Sequence, residues 1–116
     1  MKHFENEYEG IAGLKIYYQC WLPDKPKAIV HIVHGFAEHS GRYLNVVNEL
    51  IPLNYAVYAN DHRGHGRSEG VRNHVDSFDQ YVEDEKLLYD IIKKQHPNLP
   101  VFMLGHSMGS IIALYF

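Results

Sequence analysis

Short apolar runs and amphipathic stretches alternate along this chain. "AIVHIV" (28–33), "YAVYA" (55–59) and "LPVFML" (99–104) are continuous apolar runs. Runs of that kind fill strands buried on both faces of a parallel sheet. The opening, residues 4–22, reads as two strands joined by a turn at Ile11, Ala12 and Gly13. Its second half, "LKIYYQCWL", is rich in aromatic and β-branched residues, and Pro23 and Pro26 break it. Between the apolar runs the period changes. Leu44, Val47 and Ile51 recur at helical spacing, with Ser40 as the expected cap and Pro52 and Asn54 closing the segment. A second helix starts after Ser77, whose spacing to Gln80 has capping-box form, and runs to about His96 before Pro97. Tyr81, Leu88 and Ile92 form part of its inward face. Asp79, Glu83, Asp84 and Glu85 near its start and Lys93 and Lys94 near its end suit the helix dipole. Helical propensity resumes at Ser107. Strand and helix in alternation predict an α/β fold built from parallel βα units.

With 116 residues the chain has room for one domain at most. The apolar content of 46% fits a globular protein. A net charge of −3, with Lys and Arg scattered, argues against nucleic-acid binding, which needs a basic surface. The single cysteine, Cys20, excludes an internal disulfide and reads as a buried thiol in a strand. "MKHFENEYEG" lacks the apolar core of a signal peptide, and no run approaches the roughly 20 apolar residues of a membrane span. The expectation is a soluble cytoplasmic protein, with peripheral contact at a membrane or lipid surface.

The chemistry concentrates in two glycine-punctuated turns. Gly105-His106-Ser107-Met108-Gly109 lies between a buried strand and a helix. That context marks a nucleophile elbow, in which serine is forced into a strained conformation and Gly105 and Gly109 provide room. The serine hydroxyl would project from the carboxyl end of the sheet at a helix N-terminus, where dipole and free amides favour developing negative charge. Ser107 should then show φ above zero between a strand at about 100–105 and a helix starting within a residue or two. One βα unit earlier, His34-Gly35-Phe36 also follows a buried strand. A tetrahedral intermediate needs two amide donors, and Met108 N–H and Phe36 N–H are the candidates, with Gly35 letting the backbone turn inward.

"HGFAEHSGRY", "DHRGHGRSEG", "GHSMGS" and "LPVFMLGHSMG" together resemble the monoacylglycerol lipase and lysophospholipase group of α/β-hydrolases, in family order and spacing, from about residue 8 onward. The resemblance implies a central, mostly parallel sheet flanked by helices. It also implies a Ser-Asp-His triad with Ser107 as nucleophile, an oxyanion hole from the Phe36 and Met108 amides, and no cofactor. Glu38 and Arg42 match the loop residues that help bind a polar glycerol head, although a loop-bracing ion pair is an equal reading. His106 is a further head-group candidate. His34, Gly35, Gly105 and Gly109 shape the loops. In this family the acid and base follow the serine well downstream, and Phe116 is nine residues beyond Ser107. Residues 1–116 are therefore expected to be the N-terminal part of a single α/β-hydrolase domain. Further strands, the cap, the acid and the base lie downstream in that family, and the open sheet edge left here is expected to take a partner: a chain continuation, a complementary C-terminal half or a domain-swapped copy. Alone, these residues should lack substantial esterase activity and not persist as a monomer.

The leading expectation is a serine ester hydrolase acting on monoacylglycerols or lysophospholipids. An aminopeptidase or small-ester hydrolase of the same architecture, and a catalytically inactive fragment, are the alternatives. A makeshift base from His34 is disfavoured. So is a metal site from His31, His34, Asp61, His62 and His65, because residues three apart on a strand face opposite ways and no zinc spacing appears.

Overall fold

The computed structural model describes residues 1–116. β1 (Lys2–Glu9) and β2 (Lys15–Leu22) form an antiparallel hairpin around a 3₁₀ turn at Ile11–Gly13, where Ala12 and Gly13 both have positive φ. β3 (Ala28–Val33), β4 (Tyr55–Asn60) and β5 (Val101–Gly105) complete a five-stranded sheet in the order β1-β2-β4-β3-β5. β2 meets β4 antiparallel, while β3 runs parallel to both β4 and β5. The expected parallel βα units are present, and the hairpin adds an antiparallel wing.

Side chains alternate across β3 and β4 with the period of two that strands impose. Ile29 and Ala56 face Leu88 and Ile92 of α2 (Phe78–Gln95), together with Tyr18, Cys20 and Tyr58. Val30, Ile32, Val57 and Ala59 face Tyr43 and Val47, the latter on α1 (Leu44–Leu50), together with Trp21. α3 (Met108–Ala113) sets Ile112 against Val33, Tyr81 and Val82, on the same face as α2. β3 and β4 are thus covered on both faces, whereas β5, whose apolar run suggested an equally buried strand, has no buried residue and leaves Phe102 and Leu104 exposed, because nothing packs beyond it. No helix is long and apolar enough to cross a membrane.

Three local expectations are corrected. Ser40 does not cap α1. A 3₁₀ turn over Ser40–Tyr43 starts one residue sooner, His39 occupies its cap position, and the Ser40 hydroxyl accepts from Gln19 Nε2 at 2.7 Å. Ser77 does cap α2, accepting from Asp79 N–H at 3.3 Å, but Gln80 reaches back to the Asp76 amide instead of that of Ser77. Asp84 and Glu85 are fully buried and do not serve the helix dipole. They lie on the same helical stripe as Tyr81, Leu88 and Ile92, so the inward face of α2 carries two carboxylates into the core.

Because β3, β4 and β5 are parallel, their carboxyl ends open on one edge of the sheet. The loops at 34–39, 61–77 and 106–107 all emerge there. β5 pairs with β3 alone, and its other edge is unpaired.

Candidate active site

The turn at Ser107 is as sharp as its glycines require. β5 ends at Gly105, α3 starts at Met108, and Ser107 between them has φ 57° and ψ −120°. A non-glycine residue occupies such a conformation only when its surroundings enforce it. The enforcement is visible on both sides. A Cβ on Gly109 would lie 1.9 Å from the Val33 carbonyl oxygen, and one on Gly105 would lie 2.6 Å from that of Gly109. His106 N–H donates to the Val33 carbonyl at 3.1 Å, and the Ser110 amide and hydroxyl both donate to that of Ser107. Ser107 is exposed, and its hydroxyl does not cap the helix that follows. α3 has six residues, so local amides rather than a long helix dipole would meet an anion here.

The loop after β3 lies directly against this turn. A Cβ on Gly35 would sit 3.2 Å from Ser107 Cβ and 3.1 Å from the His106 carbonyl oxygen. A side chain there would have to push these neighbours back by a few tenths of an ångström, so glycine suits the approach. Phe36 follows Gly35, and Met108 follows Ser107. Neither of their N–H groups donates to a backbone carbonyl.

Glu38 braces the same loop. Its Oε1 accepts from the Gly35 amide at 2.8 Å and the Tyr43 hydroxyl at 2.7 Å, with His106 Nδ1 at 3.4 Å. The Tyr43 hydroxyl foremost, then the Gly35 amide and His106, hold this carboxyl down at about 2. Burial and the Glu38 charge raise the Tyr43 phenol in turn. Arg42 is exposed and makes no ion pair with Glu38. The structure therefore brings Glu38 and His106 together beside Ser107 and leaves Arg42 outside that cluster.

His34 is buried and committed at both ring nitrogens. Nε2 accepts the His62 backbone N–H at 3.0 Å, and Nδ1 donates to the Gly35 carbonyl at 2.6 Å. Burial lowers it to about 4. It has no free lone pair for the Ser107 proton. His62 donates from Nε2 to the His34 carbonyl at 2.8 Å, and burial holds it well below its ordinary value. His31 meets Glu85 at 2.7 Å beneath them. Asp61 knits the loops, accepting from the amides of Ser40 at 2.6 Å and Arg67 at 3.0 Å. Arg63 forms a buried bidentate pair with Asp84 at 2.7 and 3.0 Å.

Sequence reasoning missed Tyr43, Asp84 and Glu85. The last two had a signal, since they fall on the helical stripe through Tyr81, Leu88 and Ile92. Tyr43 had only its place at the end of the "HGFAEHSGRY" stretch, because its contact depends on how the 3₁₀ turn swings the loop. A groove of about 710 Å³, lined in part by Leu87, Val101, Met103 and Phe116, lies against α2 and includes none of the candidate residues.

The family described as serine aminopeptidase, S33 matches residues 24–116. The chain is 45% identical to a monoacylglycerol lipase of Mycolicibacterium smegmatis over 106 residues, covering 90% of this chain and 38% of that protein. It is 45% identical to the human monoglyceride lipase over 103 residues, covering 88% of this chain and 34% of the relative. A thermostable carboxyl esterase from Bacillus coagulans, solved in complex with glycerol, superposes with a TM-score of 0.88 at 37% identity, covering 97% of this chain and 39% of the esterase. The chain thus spans between a third and two fifths of the length of these relatives.

Proposed function

We propose, from the premise that this chain belongs to the serine aminopeptidase, S33 family and has the α/β-hydrolase fold, that it carries the nucleophile and oxyanion-binding part of a serine ester hydrolase. Its substrates would be monoacylglycerols or lysophospholipids. Ser107 Oγ attacks the ester carbonyl carbon, and its proton passes to a histidine base. The carbonyl oxygen, now negative, is met by the Phe36 and Met108 amides. The alcohol leaves as its C–O bond breaks and takes that proton. Water then releases the fatty acid from Ser107. Glu38 and His106 take the polar head of the substrate. Glu38 has an oxygen, Oε2, not used in bracing the loop, and Arg42 reaches the head only if its exposed side chain turns inward.

The observation that carries this reading is the strained Ser107, at φ 57° and exposed, with Gly35 packed against it and two uncommitted amides alongside. His34 is already spent on the loop, so the base and its orienting acid belong to polypeptide outside residues 1–116. That polypeptide is a continuation or a complementary C-terminal half, and these residues are the N-terminal part of one catalytic domain; a swapped copy would cover the unpaired edge of β5 without adding a base. The expected setting is cytoplasmic, peripheral at a membrane or lipid surface.

The test is labelling with a fluorophosphonate and assay on a monoacylglycerol and an aminoacyl amide, in a complete protein carrying this sequence. Labelling at Ser107, its loss in Ser107→Ala, and hydrolysis of the monoacylglycerol are expected. Cleavage of the amide alone would favour the aminopeptidase alternative. No labelling at Ser107 would refute the reading.

A further inference from the structure

The peptide that carries the Phe36 N–H is held by its other end. In a trans peptide the C=O and N–H point in opposite directions, and the chain has no cis bonds. The carbonyl of the Gly35–Phe36 peptide accepts from His34 Nδ1 at 2.6 Å. Wherever that ring holds the carbonyl, the Phe36 N–H is aimed the opposite way.

The tautomer follows from the contacts. His34 Nε2 accepts the backbone N–H of His62 at 3.0 Å, so its lone pair is there and its proton is on Nδ1. His62 Nε2 faces the His34 carbonyl at 2.8 Å, and a carbonyl can only accept, so the His62 proton is on Nε2. The preceding peptide, His34–Gly35, is therefore also fixed at both ends. His62 holds its carbonyl, and Glu38 accepts its N–H at 2.8 Å. Of the four polar groups on the two peptides flanking Gly35, three are pinned by side chains. The one left free is the Phe36 N–H.

We infer that His34 and His62 are positioning residues for the oxyanion donor: through their fixed tautomers they lock the two peptides at Gly35 and aim the Phe36 amide. This rests on the reading of that amide as an oxyanion donor. The His34 proton also polarises the peptide it touches, and hydrogen bonds in series strengthen one another, so the Phe36 N–H is a better donor for being clamped. Both rings are buried, and their centroids are 4.0 Å apart. They touch no substrate and act only through the backbone.

Two variants of His34 separate positioning from packing, in a complete and active protein carrying this sequence. Asn places an amide N–H near the position of Nδ1 and can still donate to the Gly35 carbonyl. Gln places its amide near Nε2 and leaves that carbonyl without a donor. His34→Gln is expected to lower kcat on a short aryl ester by roughly 10- to 100-fold, less than the roughly 100- to 1,000-fold lost when a donor is removed outright. KM should change by less than about twofold, because the interaction strengthens only in the transition state. His34→Asn should retain at least about tenfold more kcat than His34→Gln. Equal kcat in the two variants, whether at the unmodified level or equally reduced, overturns the inference. Long-range proton–nitrogen correlation spectra of the unmodified protein, ¹⁵N-labelled at histidine, provide a second measure that needs no activity. They should report Nδ1–H for His34 and Nε2–H for His62, and the opposite tautomer at either ring overturns the inference. Absence of Ser107 labelling in the unmodified protein would instead refute the proposed function and leave the tautomer result standing.

Discussion

Ser107 and its glycines were legible in the sequence because the constraint is local. Five consecutive residues between a strand and a helix state the turn, and the positive φ follows. That His34 and Glu38 brace their loop was expected from the resemblance, but their partners were not legible at that scale. The partner of His34 is 28 residues away, and Tyr43 reaches Glu38 across a turn whose start the sequence misplaces. These residues carry a consequence for acid stability. His34 is neutral in the folded protein down to about 4, whereas an unfolded histidine protonates near 6.5. Its folded value is depressed, so above about 6.5 it has no effect on stability. As pH falls from about 6.5 to about 4 the unfolded chain binds a proton that the native state refuses, and stability is lost, by roughly 3 kcal/mol at pH 4. His62 acts in the same direction. Glu38, held at about 2, stabilises the fold above its ordinary value near 4.5 and loses that contribution as pH falls from there toward about 2, so its window begins where that of His34 ends. Thermal melts across pH 4–7 should show the first loss, and His34→Asn should flatten it. A melting temperature unchanged between pH 7 and pH 4.5 would contradict the assignment.

At the scale of elements, helical spacing found α1 and α2, and the apolar runs found β3, β4 and β5 to within about two residues. The spacing misjudged the charged residues of α2. Asp79 and the run Glu83-Asp84-Glu85 read as solvated first turns, yet the stripe that buries Tyr81, Leu88 and Ile92 also buries Asp84 and Glu85. Asp84 binds Arg63 bidentately, accepts the Ile11 amide at 2.9 Å, and so joins α2, the β4 loop and the hairpin turn. Removing one member of a buried pair leaves the other charged and desolvated. Asp84→Ala should therefore cost about 3–5 kcal/mol. One residue earlier, Glu83 lies 3.7 Å from Lys86 with both side chains about half exposed. Glu83→Ala should cost less than about 1 kcal/mol. Denaturant midpoints of the two variants check the contrast, and similar losses would mean that burial does not decide these pairs.

Across the whole molecule, the alternation of strands and helices implied parallel βα units. It could not give the strand order, because pairing between β2 and β4 skips β3 and joins segments separated by that strand, by α1 and by the loops around them. The unpaired edge of β5 was foreseeable from the resemblance, which makes this strand central and puts further strands after it, and not from its apolar sequence. Phe102 is 57% exposed there, and Ile111 and Leu114 of the neighbouring helical segment are also exposed. An apolar edge of this kind pairs readily with further chain. The two uncommitted amides have a consequence in isotope exchange. An amide swaps its proton for deuterium when it is free of an internal acceptor, and slowly when opening must come first. The interior amides of β3 and β4 should stay protonated longest. Gly35, bonded to Glu38, should resist more than its place in a loop suggests. Phe36 and Met108 should label within the earliest times sampled, although their neighbours are among the most tightly held groups in the protein. An anion bound beside Ser107 should slow those two sites together, so that a deuterium map would locate the cradle without any turnover being measured.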